Sequence, residues 1–218
     1  MGKISVYALN LSNRPDRLKN IQKQFHKKSE FNFNVVSAIK HEIGAYGQWK
    51  SLIRIVKQEI EKNSDFFIFC EDDHVFTKDY NFEYLSDSIK QADRLGADLM
   101  CGGVAFITDA VQCTEHLFWV KIFNGLQFTV IFKRFYEKII KADVGEGFVA
   151  DFYLSEISDN KFVMYPFISR QREFGYSDIT KTNNEKGHVN KLFRNTTKSL
   201  YILDKVKLFY QNIDHEIR

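Results

Sequence analysis

Three consecutive acids, Glu71, Asp72 and Asp73, follow directly on the apolar run Phe66, Phe67, Ile68, Phe69, Cys70. Carboxylates packed this closely repel one another and are costly to bury. A divalent cation compensates for both effects, and acidic oxygens suit Mg²⁺ or Mn²⁺, with phosphate oxygens and water completing the shell. On an extended backbone Glu71 and Asp73 project to one side and Asp72 to the other, which is the acid-x-acid spacing of a metal site. The same residues also suit a polar turn closing a buried strand, and the run by itself leaves both readings open.

The elements around this run say where it sits. Lys3–Leu11 alternates as a first strand, and Asn13 and Pro15 start a helix with Leu18, Ile21 and Phe25 on its apolar face. Phe31–Ile39 reads as a second strand. Ile43–Lys62 reads as a long helix with Trp49, Leu52, Ile53, Val56 and Ile60 on one side. After the acidic strand come a helix over Phe82–Leu95 and a strand over Ala97–Val104. This alternation predicts an α/β fold with a mostly parallel central sheet and flanking helices. In such folds ligands bind at the carboxyl ends of the strands. Both the acidic run and the loop Asn10–Arg17 fall at such ends.

The second half is less regular. Leu117–Ile122 and Leu126–Phe132 read as strands separated by the turn signal Asn124-Gly125. Short helices are expected over Phe135–Ala142 and Phe148–Ile157, and a strand over Phe162–Ile168. Polarity rises from Thr180 onward. The chain therefore divides into a domain over 1–180 and a basic extension over 181–218, whose stretch Leu200–Tyr210 reads as a helix packing back onto the domain.

Composition sets the outer bounds. A chain of 218 residues with 44% hydrophobic and 27% charged residues is an ordinary globular domain. A net charge of +3 is too small to point to nucleic acid. Three cysteines, Cys70, Cys101 and Cys113, have no metal-ligand spacing and read as reduced thiols, which suggests a cytoplasmic protein. No apolar run approaches the roughly 20 residues a membrane span needs, and the sequence leaves open peripheral attachment to the inner face of a membrane.

Several segments, in this order, resemble the family 25 glycosyltransferases, which include lipooligosaccharide and collagen galactosyltransferases. They are VYALNLSNRPDRLKNIQKQF, AIKHEIGAYGQWKSLI, FFIFCEDDHVF, LGADLMCGG, LQFTVIFKRFYEKII, VADFYL and YPFISRQREFGYSDIT, and together they span about Ile4 to Thr180. The chain departs from the family at Tyr46-Gly47-Gln48-Trp49, where a Ser-His pair is usual.

The resemblance implies a GT-A-like nucleotide-binding fold. It implies transfer of a hexose, galactose being the family's commonest case, from a nucleotide-sugar donor to a glycan hydroxyl with inversion. It gives Asp73 and Glu71 to the metal, with Glu71 shared with the ribose, and Asp72 to holding the loop through backbone hydrogen bonds. Asn10, Arg14 and Arg17 belong to the donor loop, where a guanidinium or a helix N-terminus suits phosphate. Asp151 is the first candidate for the base that deprotonates the acceptor, and Glu146 the second. Gly102 and Gly103 would let the donor approach the backbone, and Ser177 and Asp178 would contact donor or acceptor. His188 is a possible late metal ligand, and Trp49 and Trp119 are possible sugar-stacking residues. The competing readings are a transferase acting on protein or nucleic acid, a non-catalytic nucleotide-sugar or carbohydrate-binding module, and, last, a metal-dependent phosphoesterase.

Overall fold

The computed structural model describes residues 2–144, 149–176 and 185–216. The first half forms two parallel crossovers. Strand β1 (Ile4–Asn10) leads through helix α1 (Pro15–Phe25) to β2 (Phe31–Ser37), and helix α2 (Gly44–Glu61) returns to β3 (Phe66–Glu71). β1 pairs in parallel with β2 on one side and β3 on the other, with Leu9 opposite Glu71. That register brings the loop after β1 and the acidic run to one rim of the sheet.

The strand after β3 is short: β4 (His74–Phe76), followed by α3 (Phe82–Arg94) and β5 (Leu99–Cys101). The Asn81 side chain caps α3 by accepting from the backbone N–H groups of Glu83 and Tyr84. Next come β6 (Phe106–Gln112), β7 (Leu117–Asn124), β8 (Phe128–Phe132), α4 (Lys133–Lys141), α5 (Ala150–Ile157), β9 (Lys161–Met164), β10 (Ser169–Gln171) and α6 (His188–Glu216).

The main sheet has eight strands in the order β2-β1-β3-β8-β5-β9-β7-β6, and a separate pair joins β10 to β4. It is an α/β fold with a large mixed sheet. The parallel pairings lie at β2-β1-β3 and at β5-β9; β8 enters antiparallel between β3 and β5, and β7 antiparallel between β9 and β6. β7 and β8 are consecutive but do not pair, so Asn124-Gly125 is a crossover bend and not a hairpin turn.

Two apolar layers sandwich the sheet. One packs Trp49, Leu52, Ile55 and Val56 of α2 with Phe135 and Leu154 of α4 and α5. The other packs Ile21 and Phe25 of α1 with Leu85 and Ile89 of α3. The buried face of α2 is rotated slightly from the expected one. Ile60 is 46% exposed, and Glu59 is buried in its place, where its carboxylate accepts from the Tyr7 hydroxyl and from Lys62.

β6 carries no local strand signal in the sequence. As an edge strand its side chains are all exposed or half-buried, so no apolar run marks it. Helix α6 begins twelve residues before the expected Leu200. Val189, Phe193 and Leu200 face the core, and the Thr196 hydroxyl donates to the Ala105 carbonyl at 2.7 Å.

Candidate active site

The rim shared by β1 and β3 opens into a cavity of about 320 Å³. Its walls come from the loop after β1, the loop between β2 and α2, the acidic turn after β3, the bend after β7, and the first turn of α5. Glu71, Asp72, Asp73 and Asp151 all line it, as do Arg14 and Arg17.

β3 ends at Glu71, and Asp72 and Asp73 form the turn into β4. The two-residue alternation of an extended strand therefore stops at Glu71, and the expectation that Asp72 points away from Asp73 does not hold. One Arg17 nitrogen bridges both, at 3.2 Å from Asp72 Oδ1 and 3.1 Å from Asp73 Oδ2. The other terminal nitrogen donates to the Tyr176 carbonyl at 2.7 Å, and the guanidinium lies over the rings of Tyr176 and Phe174. Arg17 thus ties the acidic turn to the segment following β10.

Asp72 holds the loop through side chains and not through the expected backbone donors. Asn10 Nδ2 donates to Oδ2 at 2.8 Å, and Arg17 covers Oδ1. Asn20 donates to the carbonyls of Asp72 and His74, and the Arg172 N–H donates to the Asp73 carbonyl at 2.8 Å. The turn is thus braced from the end of β1, from α1 and from the segment after β10.

Glu71 lies between two amides. Gln48 of α2 donates to one oxygen and Gln171 of β10 to the other, the latter at 3.4 Å. Burial raises its carboxyl well above the ordinary range, and the charges of Asp73, Asp151 and Asp72 push the same way, against the Gln48 hydrogen bond. Burial also raises Asp73, to about 6, even with Arg17 pulling it down. Asp73 Oδ1 is buried and has no hydrogen-bond partner. Asp151 is raised by burial as well, opposed by the Gly125 N–H, which donates to its Oδ2 at 2.8 Å. Gly125 has φ +126°, a conformation that favours glycine and aims this N–H at the carboxylate.

The other anticipated residues fall as follows. Arg14 stands at the cavity wall, 4.0 Å from Asp72 and beneath the Tyr176 ring. Asn10 is buried behind the wall and positions Asp72 and the Arg14 carbonyl instead of reaching a ligand. Gly102 and Gly103 are buried away from the cavity. A Cβ on Gly103 would lie 2.1 Å from the Ser169 carbonyl, so protein backbone fills the space that the sequence suggested for a donor. Trp49 belongs to the core, and Trp119 donates to the Asp159 carbonyl, so neither offers a sugar platform in the cavity. His188 opens α6 and does not line the cavity. Glu146, Ser177 and Asp178 lie outside the described residues.

Gln48, Gln171 and Gly125 join the site without standing out in the sequence as site residues. Gln48 sits in the block that departs from the resembled family, which was the available signal. Nothing local marks Gln171, which reaches Glu71 only because β10 pairs with β4. Among the described residues no group of three or more His, Cys, Asp or Glu is gathered tightly enough to hold a metal unaided. No described helix is long and apolar enough to cross a membrane.

No family model and no curated protein matches the chain. Among solved structures it is similar to A197 from STIV, at 17% identity and TM-score 0.49, over 80% of this chain and 87% of that one. It is also similar to an apo UDP-glucose pyrophosphorylase, at 9% identity and TM-score 0.46, over 88% of this chain and 82% of that one. Likenesses this distant carry no argument about activity.

Proposed function

We propose that this chain is a metal-dependent glycosyltransferase on a GT-A-like fold. It moves a hexose, with galactose as first candidate, from a UDP-sugar to a glycan hydroxyl with inversion, and works in the cytoplasm. The observation carrying this reading is that Glu71, Asp73 and Asp151, from segments eighty residues apart, line one cavity with Arg14, and that burial raises all three carboxyls. The ordered resemblance to family 25 glycosyltransferases supports the same assignment.

The residues present fit a hard cation. Asp73 Oδ1 is a buried oxygen without a partner, and Glu71 lines the same cavity, close enough for the two carboxyls to repel. Mg²⁺ commonly takes one or two carboxylates and completes its shell with phosphate and water, which suits a site with no three-acid cage. Bound there, the cation would offset the charge on the leaving diphosphate. Arg14 and the N-terminus of α1 face the same space and suit the diphosphate oxygens. Asp151 takes the proton of the acceptor hydroxyl as that oxygen bonds to the anomeric carbon. The carbon–oxygen bond to the diphosphate breaks, and the diphosphate leaves with the electron pair. A raised carboxyl is a better proton acceptor, which suits Asp151 to this task.

One observation favours a second reading, a nucleotide-sugar-binding module without turnover. Arg17 already supplies positive charge to Asp72 and Asp73. Calorimetric titration with UDP, GDP and CMP, with and without Mn²⁺, separates the two. The transferase reading expects Mn²⁺-dependent binding of UDP that Asp73→Ala abolishes. Asp151→Asn is expected to keep that binding and lower transfer by about 10²–10⁴-fold. Metal-independent binding with no sugar transfer would favour the module, and no binding of any nucleotide would reject both.

A further inference from the structure

We propose that the outer side of α6 and the groove beside it dock this chain on an anionic lipid surface. This does not depend on the transferase reading. The groove runs between α6 and the β4–β10 pair and is lined by Arg170, Arg194, Lys198, Tyr165 and Tyr201, with Asp79 as its acid. Arg170, Arg194 and Lys198 are exposed, and none forms an ion pair among the described residues.

Helical spacing extends this wall. Arg194, Lys198, Tyr201, Lys205 and Leu208 recur at intervals of four and three, so they form one stripe along the helix. Lys205 lies 5.3 Å over the Tyr201 ring, as that spacing requires. Beside the stripe, on the side opposite Val189, Phe193 and Leu200, are Ile202, Val206 and Phe209, exposed by 51%, 47% and 61%. The one acid of this stretch, Asp204, is turned toward the body and accepts from Gln112 at 3.1 Å. The outward side therefore carries cations toward the groove and large apolar residues toward the far end, with no carboxylate between Lys191 and Phe209.

That combination selects the occupant. A lipid surface offers phosphate to the cations and acyl depth to Ile202, Val206 and Phe209, as interfacial basic amphipathic helices require. A second copy of the same face would set its cations against themselves. A nucleic-acid backbone offers nothing to the apolar end.

Co-sedimentation of the full chain with vesicles tests this. Phosphatidylcholine vesicles containing phosphatidylglycerol should carry the protein down, and pure phosphatidylcholine vesicles should not. Raised salt should release it. Ile202→Asp with Phe209→Asp, and separately Arg194→Glu with Lys198→Glu, should each weaken binding by at least about tenfold. All four residues are exposed, so circular dichroism should stay unchanged. Absence of binding, or equal binding to both vesicles, would overturn the proposal. So would self-association abolished by Phe209→Asp, or salt-sensitive binding of duplex DNA without vesicle binding.

Discussion

At the scale of single residues, the candidate site balances buried carboxylates against the arginines beside them. Asp72 is fully engaged by Asn10 and Arg17, whereas Asp73 keeps one buried oxygen unsatisfied. Removing Arg17 would take the bridging cation from both carboxylates and leave Asp72 with the longer ion pair to Arg14 at 4.0 Å. Breaking a buried ion pair from one side costs about 3–5 kcal/mol, so Arg17→Ala should lower the urea midpoint strongly and speed hydrogen exchange in Phe174–Tyr176. His74 sets a different limit. Its ring is buried among Phe25, Phe76 and Phe128, with Nδ1 2.8 Å from the Ser169 hydroxyl oxygen. Burial lowers its pKa from 6.5 to about 3. Between those values the unfolded chain binds the proton and the folded chain does not. Stability is therefore retained above pH 6.5 and falls as pH drops toward 3, by about 1.4 kcal/mol per unit from this group. Equilibrium unfolding of His74→Gln against the parent across that window should show a shallower acid loss.

At the scale of elements, the N-terminal part of α2 places Gln48 against Glu71. Gly47 makes this possible, because a Cβ there would lie 2.2 Å from the Ile39 carbonyl. Gly47→Ala must push the helix start away from the β2–α2 loop, with a cost of about 1–3 kcal/mol from overpacking and loss of the Gln48 hydrogen bond. Thermal melts would read the first effect and nucleotide affinity the second. Helix α6 is docked through its N-terminal half. Leu200 is fully buried, and the large side chains after it are exposed or half-buried as far as Tyr210. Leu200→Ala should cost about 2–5 kcal/mol, and native-state hydrogen exchange should be markedly faster after Lys205 than between Val189 and Leu200.

At the scale of the molecule, the cavity opens at the rim of the main sheet, and the α6 groove lies along the separate β4–β10 pair. β10 connects them. Gln171 reaches Glu71 in the cavity, and Arg170, the residue before it, lines the groove. Successive residues of a strand face opposite ways, so a three-residue strand serves two surfaces. If α6 docks on lipid and the cavity transfers sugar, the two functions separate by mutation. Ile202→Asp with Phe209→Asp should leave nucleotide binding unchanged, because neither residue lines the cavity. A calorimetric titration of that variant with UDP and Mn²⁺ checks this.

The sequence by itself determined the elements of the first half, because apolar periodicity and capping residues are local signals. Pro15 starts α1, the spacing of Trp49, Leu52 and Val56 marks α2, and the Phe66–Cys70 run marks β3. It also put Arg14, Arg17, Glu71 and Asp73 on a short list, because acids and arginines at strand ends and helix starts stand out as types, and the family resemblance added Asp151. Tertiary structure alone decided who meets whom. Arg17 bridges Asp72 and Asp73 because the backbone turns after Glu71, and Gln171 reaches Glu71 through a strand pair a hundred residues apart. The antiparallel entry of β8 between β3 and β5, and the burial of Gly103 beneath Ser169, are likewise long-range facts. Hydrophobic pattern states which face of an element is buried, but pairing depends on backbone groups that every residue carries alike, so sequence leaves the partner open.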